Sequence, residues 1–169
     1  MRLWLSLVVF CCVGAMPAQS QTDSIPLVRI DAGTIQGAHF GAAPDEVMFL
    51  GIPYAAPLTG ERRWKPPQPV EKWQGARKAV SFGPACPQQD NPGLEAAQKE
   101  IQTVEPYFSY RTDEDCLYLN LWTTNLPGSH YAARKLPVMF WIHGDSRGGS
   151  GQYPILLGHT LARKGCGAG

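Results

Sequence analysis

The sequence has almost no net charge and no long apolar run, and each shortage excludes a class of protein. Its 169 residues carry 15 Lys and Arg against 14 Asp and Glu, a formal net charge of +1. This balance provides no electrostatic attraction to nucleic acid or to an anionic membrane surface. The apolar run at residues 3–13 is too short for a bilayer-spanning helix, which needs ~20 residues. Repeats and low-complexity tracts, which would indicate a solenoid or a disordered chain, are also absent from the sequence.

The first twenty residues are typical of a secretory signal peptide. A short basic region, an apolar stretch and a small-residue cleavage site follow one another there, as in such signals. The basic residue is Arg2, and the small residues are Gly14, Ala15, Ala18 and Ser20. Cleavage after Ala15 and cleavage after Ser20 both fit, and an uncleaved lipid-facing anchor is the alternative. We expect residues 1–20 to be a signal and the protein to be secreted or periplasmic.

Export would leave three of the five cysteines in the mature chain. Cys11 and Cys12 lie in the signal, whereas Cys86, Cys116 and Cys166 follow it. Outside the reducing cytosol we expect one disulfide among these three, with one cysteine left over.

Strands, loops and short helices alternate loosely along the mature chain, which favours an α/β protein with an antiparallel N-terminal edge. Residues 27–30 and 34–37 flank a turn and predict a hairpin. Residues 47–52 form a further apolar run, and the four prolines of residues 57–69 predict a loop. Leu94, Ala97 and Ile101 recur at helical spacing.

The clearest strands come later in the chain. Residues 117–123 and 136–142 have strand character, and the second run is apolar throughout, as expected for a strand buried on both faces. Residues 159–164 predict a helical turn that ends at Gly165.

Three segments carry a more specific signal. Residues 49–57 read Phe-Leu-Gly-Ile-Pro-Tyr-Ala-Ala-Pro and precede Gly60 and Arg63-Trp64; residues 114–122 read Glu-Asp-Cys-Leu-Tyr-Leu-Asn-Leu-Trp; residues 136–144 read Leu-Pro-Val-Met-Phe-Trp-Ile-His-Gly. In this order and with these gaps they resemble the type-B carboxylesterase family, which includes the cholinesterases. The resemblance runs from about residue 28 to residue 165. It implies an α/β-hydrolase fold, of which this chain holds only the N-terminal part: antiparallel edge strands and the first central strands.

The resemblance also sets the expected domain limits. Residues 21–165 would be the N-terminal part of a carboxylesterase domain, about its opening third. Family members then continue with a β-branched central strand, whereas this chain has Cys166-Gly167-Ala168-Gly169. Two glycines in four residues should not supply a buried strand. We interpret residues 166–169 as an aberrant or truncated end, left by a frameshifted or incomplete gene.

The implied activity is hydrolysis of a small-molecule carboxylic ester through an acyl-serine intermediate, without cofactor or metal. The serine of this fold sits in a G-x-S-x-G turn between a strand and a helix, and we expect the whole triad to lie beyond the end of this chain. Ser150 comes near the motif, but Gln152 occupies the final glycine position, so a loop role is expected. His143 matches a structural histidine of the family, and His39, His130 and His159 show no paired metal-ligand spacing.

Residues after the 136–142 run match the family's oxyanion loop. By position, the backbone N–H groups of Asp145 and Ser146 would bind the developing oxyanion, with Gly144 making the turn; such donors are worth roughly 3–4 kcal/mol each. The family has glycine in place of Asp145. Asp tolerates left-handed backbone angles, but its carboxylate would repel an oxyanion. Either this side chain points to solvent, with Arg147 as a partner, or the oxyanion hole is impaired; a polar loop without a role is the alternative.

Two residue pairs follow from the same resemblance. Cys86 and Cys116 match the family's first disulfide. Arg63 and Glu114 match an ion pair that we expect to be largely buried in the completed fold. The loop between the cysteines holds no Trp, so a choline ester, whose cation would face such a ring, is not supported. A general aliphatic or aryl ester fits better.

Two other functions stay open. The first is a non-catalytic relative, such as the cholinesterase-like adhesion proteins, which Asp145 favours. The second is a defective gene product without function. Fold resemblance cannot separate these from an enzyme, because function resides in the site. The DNA beyond the codon for Gly169, read in three frames, would discriminate, since a downstream G-x-S-x-G favours the enzyme.

Overall fold

The structure is a computed structural model that describes residues 25–89, 111–126, 135–144, 150–152, 156–165 and 167–168. The expected signal peptide, the helix expected at Leu94–Ile101, and the residues Asp145, Ser146 and Cys166 lie outside this part. In chain order the elements are β1 (Leu27–Ile30), β2 (Gly33–Gln36), β3 (Ala38–His39), β4 (Val47–Pro53), a 3₁₀ turn (Gly60–Arg62), β5 (Ala76–Lys78), β6 (Tyr118–Thr123), β7 (Val138–Met139), α1 (His159–Arg163) and β8 (Gly167–Ala168).

The smaller sheet has the order β1-β2-β5 and begins with the hairpin that the sequence predicts. β1 and β2 are antiparallel, and β5 joins β2 in parallel. The indole of Trp73 closes the hairpin: its Nε1 donates to the carbonyl of Thr34 at 2.8 Å. A Cβ at Gly33 would lie 2.6 Å from that same Nε1. Glycine is therefore required at this turn by packing.

The larger sheet has the order β3-β4-β6-β8-β7. Its strands are antiparallel except for the parallel pair β7–β8. The β4–β6 register shifts between Phe49 and Ile52. Gly51, at this shift, has φ +67° and donates its N–H to Oδ1 of Asn120 on β6 at 3.0 Å. The irregular pairing is thus anchored by a side chain of the neighbouring strand.

The core lies on both faces of β4. On one face Met48 and Leu50 pack with three buried residues of other segments, Phe82, Trp122 and Ala162. On the other face Val47, Phe49 and Ile52 pack with Ile35 and Ala79. Each fully buried side chain of this size contributes about 1.5–3 kcal/mol relative to exposure, so β4 is the central element of the described structure.

Helix α1 packs on β6. The sequence predicts a helical turn here that ends at Gly165, and the structure has a short helix at this place. Ala162 is fully buried, and its carbonyl accepts a hydrogen bond from Oγ1 of Thr124 at 3.3 Å. Arg163 contacts Glu46 through Nε at 2.5 Å and through a second guanidinium nitrogen at 3.3 Å. Gly165 follows the helix with φ +88°, a left-handed conformation that glycine adopts without strain.

One expectation about the sheet is wrong. The strand predicted over residues 136–142 is only Val138–Met139, and these side chains are exposed rather than buried. Gly167–Ala168 pairs through its backbone with β6 and β7, and the interpretation of residues 166–169 as an aberrant end stays a prediction.

Candidate functional site

A cavity of about 570 Å³ lies between β6, the residues that follow β7, and residues 150–152. Five aromatic side chains dominate its wall, and four polar side chains join them. The aromatic residues are Tyr54, Tyr118, Trp122, Phe140 and Trp141; the polar ones are Asn120, His143, Ser150 and Gln152. A largely aromatic wall with a few polar groups suits an apolar or aryl ligand.

Tyr118 is fixed in this wall and is kept neutral. Its hydroxyl donates to Oδ2 of Asp115 at 2.9 Å. Burial, and then the hydrogen bond to Asp115, raise the pKa of Tyr118 above its usual value of 10.0. A Cβ at Gly83 would lie 2.4 Å from the Tyr118 ring, so glycine there makes room for it. Tyr118 therefore shapes the cavity and does not act as a base near neutral pH.

Ser150 and Gln152 form a buried turn at the cavity. Oγ of Ser150 accepts a hydrogen bond from the backbone N–H of Gln152 at 3.1 Å. Nε2 of Gln152 donates to the carbonyl of Gly83, while its Oε1 is buried and has no hydrogen-bond partner among the described residues. In the described residues the Ser150 hydroxyl is paired with backbone and not with a histidine. This geometry is that of a turn residue rather than of an activated nucleophile.

His143 and Gly144 end the described segment that leads toward the predicted oxyanion loop. His143 is exposed and lines the cavity, and its Nδ1 lies 3.2 Å from the carbonyl oxygen of Gly144. A Cβ at Gly144 would meet no atom of the described residues within 4 Å. Asp145 and Ser146, the expected oxyanion donors, lie outside the described residues, and their role stays a prediction.

The sequence interpretation missed one match to the nucleophile motif. Residues 144–148 read Gly-Asp-Ser-Arg-Gly, which has the G-x-S-x-G spacing around Ser146. The motif requires a helix directly after the turn. Residues 145–149 lie outside the described part of the chain, and the spacing makes Ser146 a candidate to test.

Cys86 and Cys116 form a disulfide at the rim of the cavity, with S–S 2.05 Å and Cα–Cα 5.0 Å. The backbone also joins the two sides of this loop. Ala85 donates its N–H to the carbonyl of Arg111 at 2.9 Å and accepts a hydrogen bond from Asp113 at 3.0 Å. The loop is thus closed both covalently and by hydrogen bonds.

Arg63 and Glu114 contact each other at 2.9 Å, but the pair is at the surface. The side chains are 56% and 42% exposed, whereas we expected a largely buried pair in the completed fold. The guanidinium also lies 5.4 Å from the ring centroid of Trp64, which is itself 90% exposed. An ion pair in this setting is screened by water and contributes little stability.

Asn120 is the site residue that the sequence interpretation did not single out. It lines the cavity and also binds the N–H of Gly51. The only available signal was its position, a polar residue within an otherwise apolar strand run. A polar side chain at such a position is expected to have a partner. No group of three or more His, Cys, Asp or Glu residues that could hold a metal occurs in the described parts of the chain.

A mixed sheet with an antiparallel N-terminal edge, a short helix packed on it and an aromatic cavity beside its strands is consistent with an α/β protein. The carboxylesterase family model matches residues 24–165, and the chain therefore belongs to the carboxylesterase family. The fold is the N-terminal part of the α/β-hydrolase fold, since the chain superposes on a solved PNB esterase with a TM-score of 0.69 at 31% identity. That match covers 86% of this chain and 27% of the esterase.

Curated relatives give the same picture. The chain is 40% identical over 152 residues to the fumonisin B1 esterase of Sphingopyxis macrogoltabida, covering 89% of this chain and 25% of the relative. It is 39% identical over 142 residues to the phenmedipham hydrolase of Pseudarthrobacter oxydans, covering 82% and 26%. The chain thus spans about a quarter of the length of these relatives, less than the third expected. In the described residues, no helix is long and apolar enough to cross a membrane.

Proposed function

We propose that this chain is the N-terminal part of a secreted or periplasmic serine carboxylesterase that cleaves a small-molecule ester. The observation that carries the proposal is the family match over residues 24–165, with relatives named as an esterase and a hydrolase. These names favour catalysis over the adhesion alternative. Residues 1–20 would be the signal peptide, and residues 166–169 the aberrant end.

In this proposal the chain supplies part of the binding site and not the triad. The aromatic wall formed by Tyr118, Trp122 and Trp141 would hold the apolar body of the ester. The N–H groups of Asp145 and Ser146 would stabilise the tetrahedral oxyanion that forms when a serine hydroxyl attacks the carbonyl. That serine, with its histidine and acid, would come from the three quarters of the fold that this chain does not contain.

A chimera tests the competence of this N-terminal part. Residues 24–165 would replace the matching part of the PNB esterase, and hydrolysis of 4-nitrophenyl acetate would be measured. We expect turnover that a serine-directed fluorophosphonate abolishes. The matched variant Asp145→Gly should raise kcat if the carboxylate impairs the hole, by up to about 10²–10³-fold, the usual effect of one oxyanion donor. A folded chimera without turnover in either form would contradict the proposal.

The chain alone should hydrolyse no ester above background. It lacks an identified triad acid and base, and oxyanion donors without a triad need a folded substrate pocket to give residual rate. The measurement compares the purified chain with a heat-treated control on 4-nitrophenyl acetate. Fluorophosphonate labelling of Ser146 or Ser150 would contradict this expectation and would place a nucleophile within this chain.

A further inference from the structure

A second cavity, of about 380 Å³, lies at the turn of the β1–β2 hairpin. Its walls are the hairpin turn at residues 31–34 and the segment at residues 72–76, and Arg29 also lines it. None of these residues lines the aromatic cavity beside β6. Pockets that bind small molecules usually have volumes of about 300–1,000 Å³. The smaller sheet therefore carries a recess with room for a small ligand, separate from the site described above.

Trp73 holds the walls of this second cavity in place. Its backbone N–H donates to the carbonyl of Ala32 at 3.0 Å, and its indole Nε1 donates to the carbonyl of Thr34 at 2.8 Å. The guanidinium of Arg77 lies 5.4 Å from the centroid of the Trp73 ring. These contacts join the hairpin turn to the segment before β5. The cavity is therefore formed before a ligand enters, and little ordering of the protein would oppose binding.

Two cationic side chains that line the second cavity have no acidic partner. Arg29 and Lys72 form no ion pair within the part of the chain that the structure describes. Glu71, the acid next to Lys72 in sequence, is bound to Arg62 at 3.1 Å instead. Asp31 is the one acidic residue among the described residues that line the cavity, so two positive charges face one negative charge there. The lining therefore favours a ligand that carries negative charge.

The strand register adds a hydroxyl to these cations. Arg29 on β1 is paired with Thr34 on β2, and Thr34 is paired with Ala76 on β5. Side chains directly opposite each other in neighbouring strands lie on the same face of the sheet. The Thr34 hydroxyl therefore lies on the face that carries Arg29, and both residues line the cavity.

We propose that the second cavity binds a small oxyanion, a carboxylate or a phosphate, through Arg29 and Lys72. A guanidinium can donate to two oxygens of such a group at once, and an ammonium adds a compact charge on a flexible stem. The Thr34 hydroxyl is a further donor, and the Trp73 indole provides apolar surface for the body of the ligand. This inference does not require ester hydrolysis and goes beyond the proposed function.

A nuclear magnetic resonance titration of the full, isotope-labelled chain tests this inference. Sodium phosphate and, separately, sodium benzoate would be added near neutral pH at constant ionic strength. The indole resonance of Trp73 and the amide resonances of Gly33 and Gly75 would be followed. Because ion pairs that are open to water are modest in strength, we expect saturable shifts with a dissociation constant of about 1–10 mM. Tighter binding of phosphate would assign the phosphate class, and tighter binding of benzoate the carboxylate class. Shifts that stay linear throughout with both anions would overturn the inference.

Charge variants show whether Arg29 and Lys72 hold the anion. Arg29→Gln and Lys72→Gln should each weaken binding by about two- to fivefold, the usual effect of one exposed ion pair. Asp31→Asn removes the acid of the lining and should tighten binding. Lys164→Gln removes a charge of the same sign outside the cavity, after α1, and should leave the affinity unchanged. All four side chains are exposed, so none of the substitutions should disturb the core. Unchanged affinity in both Arg29→Gln and Lys72→Gln, or an equal loss in Lys164→Gln, would overturn the inference.

The chimera with the PNB esterase shows whether the cavity stays accessible in a larger protein. Isothermal titration calorimetry with the same anions should give binding that Lys72→Gln weakens, as in the chain alone. This measurement also decides the case in which the chain alone is insoluble, and a folded chimera without binding would overturn the inference. An inactive chimera that binds the anion would count against the proposed function only, whereas an active chimera that does not bind it would overturn this inference only.

Discussion

Gly51 offers a sharp test of how β4 is held in the core. Its φ of +67° is in the left-handed region. A Cβ there would lie 2.6 Å from the carbonyl oxygen of Ser81 and 3.0 Å from the backbone nitrogen of Gly83. Both contacts are with backbone atoms, so no side-chain rotation can relieve them. The substitution Gly51→Ala should therefore shift β4 or the segment at residues 81–83.

The expected cost has two parts. The left-handed conformation costs a non-glycine residue about 1–2 kcal/mol. Overpacking of a tight site costs about 1–3 kcal/mol more, which gives about 2–5 kcal/mol for Gly51→Ala. Gly60 provides the control, because it has φ +55° and a Cβ there would meet nothing within 4 Å. Gly60→Ala should lose only the conformational part.

Pulse proteolysis in urea measures both variants on this chain. The method works at submicromolar concentration, where association through the exposed apolar residues 138–142 is slow. The midpoint urea concentration should fall for both variants and fall further for Gly51→Ala, with unchanged steepness. Equal shifts for the two variants would show that Ser81 does not constrain Gly51, and the proposed packing of β4 would then be wrong.

Three further predictions concern covalent and ionic contacts. Replacing Cys86 and Cys116 with serine should destabilise the fold by about 3–4 kcal/mol in urea, as expected for closing a loop of this length; non-reducing peptide mapping that pairs either cysteine elsewhere would refute it. A double-mutant cycle on Arg63 and Glu114 should give a coupling below about 1 kcal/mol, because both are exposed; a coupling of several kcal/mol would contradict this. Glu46→Gln should lower the free energy of unfolding above pH 4.5, and this difference from the wild type should disappear as the pH falls further; a difference that does not change between pH 3 and 6 would contradict the prediction.

The direction of the pH dependence expected for Glu46→Gln follows from the shifted pKa of Glu46. The hydrogen bond from Arg163 lowers the pKa of Glu46 below its ordinary value of 4.5. A carboxyl group whose folded-state pKa is depressed stabilises the fold above its unfolded-state pKa. That contribution is lost as the pH falls through the lower, folded-state value. Chemical denaturation of the wild type and of Glu46→Gln across this range measures the difference.

Local features of this fold could be predicted from the sequence because their causes are local. The hairpin of β1 and β2 follows from two β-prone runs around a turn, and α1 ends where Gly165 permits a left-handed residue. Sheet order could not be predicted in the same way. β8 lies between β6 and β7, and its two residues, Gly167-Ala168, carry no strand pattern from which this position could be predicted.

The site was predictable only in part, for a related reason. The family resemblance identified the disulfide cysteines and the segment that leads to Gly144, because its motifs include those positions. The roles of Asn120 and Gln152 depend on which backbone groups come within reach, Gly51 for one and Gly83 for the other. Those partners lie 69 residues away in each case, and only the folded chain brings them together.

The apolar segment at residues 138–142 shows what can be inferred from an apolar run in the sequence. A continuous run of apolar strand formers is typical of strands covered on both faces, yet Val138 is 80% exposed here. Apolar residues indicate the environment to which a sequence is suited, and among the described strands only β8 lies beside β7. An apolar run therefore predicts the surroundings that a strand suits, whereas the exposure of that strand depends on which segments pack against it.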